Sequence, residues 1–449
     1  MTKDLRQFLA QLEREAPEEL LRVKRPVSPR FEIAAVLARL EADRRYPALY
    51  CPVVAGSDMP VVSNLLASRR RFALALETPE AELNATYRRL EDQHLLPQLV
   101  GDGPVKEVRL RGDDVDLGRL PVLTHHEKDV APYITAGAVV IRDPETGARN
   151  VGIYRLQLLG RDKLGIHLSE ASHARLIFEL YVQRKQPMEV AITIGHHPAF
   201  YLAAVSTVPL GVDEYAVAGG LLGHPLPIVK GDTVDLEVPA DAEIVLEGVM
   251  PVEERQQEGP LGEVAGLYGK SLLSPVIYVT AVTTRAHPIY QDIFSGHLEH
   301  RLLAATPRLG SIYRLVSVAC PTVKDVYLPP SGLCRFICYV AIHKRREGEG
   351  KNAIAAALAA EPGIKYCVAV DDDVDIFDDE QVLMAISTRL RADRDAFMIR
   401  RAMGNPVDPV ADEDRTVTKV GIDATRPLAG FPEPARVPGA EGLDLSKYV

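Results

Sequence analysis

AGAVVIRDPETGARNVGIYRLQLLG, residues 136–160, decides how the middle of this chain is built. The apolar run AVVI gives way to the turn residues DPETG, after which VGIY and LQLL resume the apolar pattern. Short runs bounded by Asp, Pro and Gly predict strands joined by turns rather than helices. The same punctuation recurs in EVRLRGDDVDL, EVAITIG, TVDLEVPADAEIVLEG and SPVIYVTAVTTRAHPIYQ. Residues 105–308 are therefore expected to form a mostly antiparallel sheet or split barrel, with helices at SHARLIFELYVQR, PAFYLAAVS and DEYAVAGGLL.

Outward from this centre the pattern changes. Leu5, Phe8, Leu9 and Leu12 recur at helical spacing, RFEIAAVLARLEADR predicts a second helix, and PALYCPVV and MPVVSNLL are of strand length. Residues 1–104 thus predict a small α/β unit. From 309 to 449, strand-like segments such as CRFICYVAIHK alternate with helix-like ones such as NAIAAALAAEP, which predicts a second α/β domain. The last thirty residues, rich in Pro, Gly and Ala, predict an extended tail that packs on a partner. The fold class is α/β, of the α+β kind, in three parts.

The chain has 449 residues, 47% of them hydrophobic, and a net charge of −10. That balance opposes a nucleic-acid surface or an anionic membrane as main partner, so an acidic substrate would need a locally basic pocket. Five cysteines without metal-ligand spacing read as reduced core thiols. No apolar stretch is long enough to cross a membrane, and a soluble, cytoplasmic protein is expected.

Several familiar signatures fail. DDDVD at 371–375 starts like a calcium loop, but Ile376 occupies the glycine position, so an acidic turn at a strand end is expected. GEGK at 348–351 lacks the flanking residues of a phosphate loop, and no GxGxxG, GxSxG or HExxH occurs. The pairs His125/His126 and His196/His197 are weak metal candidates, since adjacent residues on a strand point oppositely.

Two segments carry more chemistry. EGPLGE, residues 258–263, sets Glu258 and Glu263 around Gly and Pro, which oppose a helix; a loop could converge both acids, and a solvated turn is the plain alternative. NVGIYR offers Asn150, with a hard amide oxygen, and Arg155, a permanently charged fork for a carboxylate or phosphate. With His173 and Glu214 at predicted helix starts, Asn150 supplies donors suited to Mn²⁺ or Mg²⁺. As residue types alone, Asn150 is equally a turn residue, His173 a surface group and Glu214 a favourable charge at a helix start.

Taken in order, NVGIYR, SHARL, DEYAVAGGLLG, DAEIVLEG, EGPLGEVAGLYG, HPIYQ and KVGIDAT resemble the UbiD family of reversible decarboxylases over residues 105–430. The resemblance implies a central split barrel of flavin-reductase type that binds prenylated FMN. It further implies Asn150, His173 and Glu214 as ligands of a Mn²⁺ that clamps the cofactor phosphate, with K⁺ nearby and Lys419 as a looser match to a phosphate-contacting lysine. Arg155, Glu258 and Glu263 match the family's catalytic set: Arg155 orients a carboxylate, Glu258 holds Arg155, and Glu263 handles the proton.

DIFSGHLEHRLL, residues 292–303, enters the region expected to meet the substrate. His297, His300 and Arg301 offer polar groups there, and on a helix His297 and Arg301 share a face. They are expected to read a second polar group, as in furan-2,5-dicarboxylate decarboxylated to 2-furoate and CO₂. Monoacids such as pyrrole-2-carboxylate, furoate or a hydroxybenzoate are the alternative substrates. A flavin oxidoreductase and a non-catalytic scaffold are the alternative classes. The resemblance also implies a flavin prenyltransferase as functional partner and a homodimer or homohexamer joined through the C-terminal domain.

Overall fold

The computed structural model describes residues 3–448 apart from 171, 434, 436 and 439–442. The part of the expected tail at 434, 436, 439–442 and 449 lies outside the described residues; residues 420–423 instead complete the strand Thr416–Asp423, and Leu445–Lys447 form a short helical turn.

In the hairpin Ala138–Arg142 and Arg149–Ile153, Val140 faces Val151 and Ile141 faces Asn150. It forms one end of a ten-stranded sheet whose main path runs on through Met188–Ile194, Ile244–Met250, Leu272–Thr284, Lys163–Ile166 and Leu156–Leu158 to Tyr133–Ile134. Neighbours along this path pair antiparallel. Only Tyr154 and Arg155 separate Ile153, on the last strand, from Leu156, near the other end. Six flat strand spacings would need roughly 29 Å, whereas two linking residues reach about 11 Å at most. The sheet must curl until its ends approach, and Arg155 stands on the seam.

Alternation along the strands serves two cores. Ala138, Val140, Val151, Ala191 and Val245 pack with Phe200, Tyr201, Val217 and Leu221 from the helices Pro198–Ala204 and Glu214–Leu222. Val139, Ile141, Val190, Ile192 and Leu246 face the other way, toward Ile177 and Phe178 of the helix His173–Arg184. Each large apolar side chain buried in this way contributes about 1.5–3 kcal/mol.

Helix Leu5–Glu15 buries Leu5, Phe8, Leu9 and Leu12 and is capped by Asp4, which accepts from Gln7 N. The N-terminal sheet is not closed by local sequence: its fourth strand is Tyr290–Gln291, which pairs in parallel with Val61 and Val62. Helix Leu298–Ala319 then leads into a C-terminal sheet in the order Val323–Tyr327, Ile337–Ile342, Tyr366–Asp371, Thr416–Asp423, Ala396–Met403. Residue 308 lies inside that helix, so the chain passes between the two parts along continuous backbone.

All five cysteines are free and buried. The acidic turn after Tyr366–Asp371 is a salt-bridged corner, with Asp371 and Asp373 meeting Arg389 and Arg426. His196 and His197 are buried groups: His196 Nδ1 accepts from His197 N, and His197 caps Pro198–Ala204 by accepting from Ala199 N.

Candidate active site

At the barrel seam the Arg155 guanidinium donates from Nε to Glu258 Oε1 and from Nη2 to Glu258 Oε2, each at 2.8 Å. Nη1 meets Glu263 Oε1. One arginine therefore gathers both acids of EGPLGE. Glu258 is 1% exposed, whereas the Glu263 side chain is 21% exposed. Burial works against the Arg155 cation, yet Glu258 and Glu263 outweigh it and hold its pKa above the ordinary value. His167 Nδ1 lies 3.7 Å from Glu258 Oε2; burial and the Arg155 charge push that imidazole down to about 4, so it is neutral at pH 7.

The loop that presents Glu263 is pinned at many points. Glu258 ends the strand Arg255–Glu258, and Gly259 N donates to Tyr133 Oη and Gln157 Oε1 across a cis Gly259–Pro260 peptide. The loop closes on itself through Glu263 N to Leu267 O and Gly269 N to Leu261 O. Gly262 N donates to Asp129 Oδ1, and a Cβ at Gly262 would stand 2.3 Å from His126 Nδ1, so only glycine fits there.

Four and five residues before Arg155 lies a second cluster. Asn150 Nδ2 donates to Glu214 Oε1 and Val151 N to Glu214 Oε2, both at 2.8 Å. Asn150 Oδ1 is buried without a partner, and burial pushes Glu214 up to about 8. An orphaned amide oxygen beside a desolvated carboxylate is a donor set that a hard divalent cation would satisfy. His173 opens its helix behind the Ser172 cap, and burial lowers its pKa. Tyr154, pushed up to about 12 by burial, has Ser172, the Ala174 backbone and Glu214 around it, which relates the His173 helix start to Glu214. Among the described residues no group of three or more His, Cys, Asp or Glu gathers as a metal site.

Lys419 lies elsewhere. It is buried in the C-terminal sheet, pairs with Ile399 and donates from Nζ to Leu358 O at 2.9 Å. Among the described residues no hydrogen bond or salt bridge links it to Asn150, His173 or Glu214. The phosphate-contacting role expected of it has no support in this placement, where the Nζ partner is the Leu358 carbonyl.

The substrate-side residues also take partners other than those expected. His297 stands at the residue before the Leu298–Ala319 helix instead of within it, its Nδ1 is 2.7 Å from Glu41 Oε2, and its ring stacks on Phe294 at 3.7 Å. Arg301 donates from Nε to Val264 O at 2.9 Å and from Nη2 to Gly296 O at 2.6 Å. A sequence reading missed the cations around His300. Burial, then Arg335, Arg301, Arg308 and Arg155, push His300 down to about 3. Burial and Arg308 push Arg335 down to about 9, only partly offset by Glu361 and Glu263, and Arg335 Nε has no partner. Arg308 lies two turns beyond His300, and Arg335 lies in the turn before the strand Ile337–Ile342, so no local spacing signalled the cluster.

Comparison with known proteins places this geometry. Residues 11–90, 98–298 and 301–424 match the N-terminal, Rift-related and C-terminal domain models of 3-octaprenyl-4-hydroxybenzoate carboxy-lyase. The anhydromevalonate phosphate decarboxylase of Methanothermobacter thermautotrophicus is 37% identical over 94% of this chain and 98% of its own. The UbiD-class enzyme HmfF from Pelotomaculum thermopropionicum, solved with FMN, superposes with a TM-score of 0.94 at 42% identity, covering 99% of this chain and 100% of that one. An evolved dimeric form of HmfF, solved with prFMN, gives 0.91 at 39% identity over 100% of both chains. Fold and matches together define a carboxy-lyase. The chain belongs to the UbiD family.

Proposed function

We propose that this carboxy-lyase uses prenylated FMN to decarboxylate a conjugated acid that carries a second anionic group, with furan-2,5-dicarboxylate to 2-furoate and CO₂ as the leading reading. The observation that carries the second anion is Arg335, whose buried Nε has no partner, beside neutral His300 and the Glu361-paired Arg308 and within electrostatic reach of Glu263. A monoacid such as pyrrole-2-carboxylate or a hydroxybenzoate would offer no anion to the unpartnered Arg335 Nε. The 37% identity to an anhydromevalonate phosphate decarboxylase favours a second reading, in which the same cations take a phosphate.

The cofactor assignment is supported by the HmfF complexes with FMN and prFMN. When bound, the flavin supplies an electron sink for the pair left by departing CO₂. Asn150 Oδ1, Glu214 and His173 would hold a Mn²⁺ on the cofactor phosphate, with K⁺ beside it, and the unpartnered Asn150 Oδ1 supports that reading.

The side chains then divide the work. Arg155, fixed by Glu258, orients the reacting carboxylate. Glu263 gives its proton to the carbon that loses CO₂. One proton is consumed per turnover, and the partly exposed Glu263 can reload from solvent. The five free thiols fit a cytoplasmic enzyme. Exposed Met398 and Met403 on the edge strand Ala396–Met403 fit a homodimer or homohexamer joined through the C-terminal sheet.

The test is co-expression with a flavin prenyltransferase, identification of the bound flavin by mass spectrometry, and a screen for CO₂ release. Furan-2,5-dicarboxylate and anhydromevalonate phosphate are set against the monoacids. Absence of any flavin from the purified protein would overturn the reading; faster turnover of a monoacid would remove the second anion from it.

A further inference from the structure

Three consecutive backbone carbonyls of the loop that carries Glu263 meet one short segment at the start of the Leu298–Ala319 helix. Ser295 Oγ donates to Gly262 O at 2.8 Å. Gly296, at φ +75°, comes so close to Glu263 O that a Cβ on it would stand 3.0 Å away. Arg301 Nε donates to Val264 O at 2.9 Å, and its Nη2 turns back to Gly296 O at 2.6 Å. The guanidinium thus bridges the carbonyl after Glu263 to the glycine packed under Glu263 itself.

We propose that Arg301 is a positioning residue for Glu263: it sets where the proton donor stands and does not read the substrate. The proposal rests on Glu263 being the proton donor. A guanidinium suits the task because its donors are fixed in one plane, so two carbonyls bonded to it are fixed relative to each other. His300 and Arg308 lie on the same helix, so the segment that holds Glu263 also carries part of the cationic cluster. The loop of the proton donor and part of the substrate cluster are thereby held by one helix, which is how active sites keep reacting groups aligned.

The experiment compares Arg301→Met and Arg301→Lys, both loaded with flavin. Arg301→Met should lower kcat by about 10²-fold, the scale of a misplacement near 1 Å, with KM changed by less than about twofold. Arg301→Lys, which keeps a single donor nitrogen, should recover part of the loss. In the flavin-free proteins, hydrogen exchange at the Glu263 and Gly269 amides, which close the loop, should be faster in Arg301→Met than in the parent. A rise in KM with kcat retained would make Arg301 a substrate reader and overturn the proposal. Unchanged loop exchange would overturn it as well. If Arg301→Met does not fold, Arg301→Lys and Ser295→Ala decide, and both must lower kcat more than they raise KM. Glu263→Gln separates the two ideas: full turnover in that variant removes Glu263 as the donor, whatever Arg301 does to the loop.

Discussion

Arg155 and Glu258 are joined twice, Nε to Oε1 and Nη2 to Oε2, while Glu263 shares only the remaining nitrogen of the same guanidinium. On the proposed mechanism that asymmetry assigns Glu258 to holding Arg155 and leaves Glu263 to carry the proton. Glu258→Ala should leave a buried cation half-paired and cost about 3–5 kcal/mol of stability, read from the midpoint of urea unfolding. Arg155→Lys should not restore activity, because an ammonium lacks the two-pronged geometry. Glu263→Gln should keep the fold and the bound flavin but lose about 10²–10⁴ in kcat.

Arg335 is half-buried, with its buried Nε unpartnered and Arg308 nearby. Arg335→Met should raise Tm, since it removes an ill-matched buried charge. It should also raise KM for the dianionic substrate by about tenfold or more, the scale of one lost charged hydrogen bond. Calorimetry and steady-state kinetics on the same preparation check both directions.

Asn150→Ala and Glu214→Gln remove donors from the cluster beside the seam. Each should lower bound manganese and flavin together, measured by elemental analysis and flavin absorbance after co-expression with the prenyltransferase. Flavin retained at full occupancy without manganese would separate the two.

His196 is 1% exposed, and burial pushes it down to about 3, with Arg285 and His224 adding repulsion and Asp4 opposing. Between about pH 6.5 and pH 3 the unfolded chain binds this proton and the folded chain does not, so stability rises with pH there and falls on acidification. The slope from one such histidine is at most about 1.4 kcal/mol per pH unit. His196→Asn, which keeps an acceptor for His197 N, should flatten urea midpoints measured from pH 7 to pH 5; His167 and His300 act in the same direction.

The alternating strands around 136–160, the helices that start at His173 and Glu214, and the buried stripe Leu5, Phe8, Leu9 and Leu12 were legible in the chain because period and capping are local properties. The joint use of Arg155, Glu258 and Glu263 was legible only as a resemblance of ordered motifs. Their convergence is tertiary: it follows from the curl of a sheet whose distant ends are linked by two residues. Arg301 and Lys419 are cations in suggestive motifs, and their partners, the Val264, Gly296 and Leu358 carbonyls, are tertiary contacts that no motif signals.

The amino-acid sequence by itself determined the order of strands and helices, the turn chemistry and the set of groups able to act, since those depend on neighbours along the chain. Only the tertiary structure decided which cation reaches which acid. Arg155 and Glu258 lie 103 positions apart, and His300 and Arg335 approach through burial between two parts of the fold. Contacts of that kind are fixed by sheet closure and packing, for which no residue spacing carries a signal.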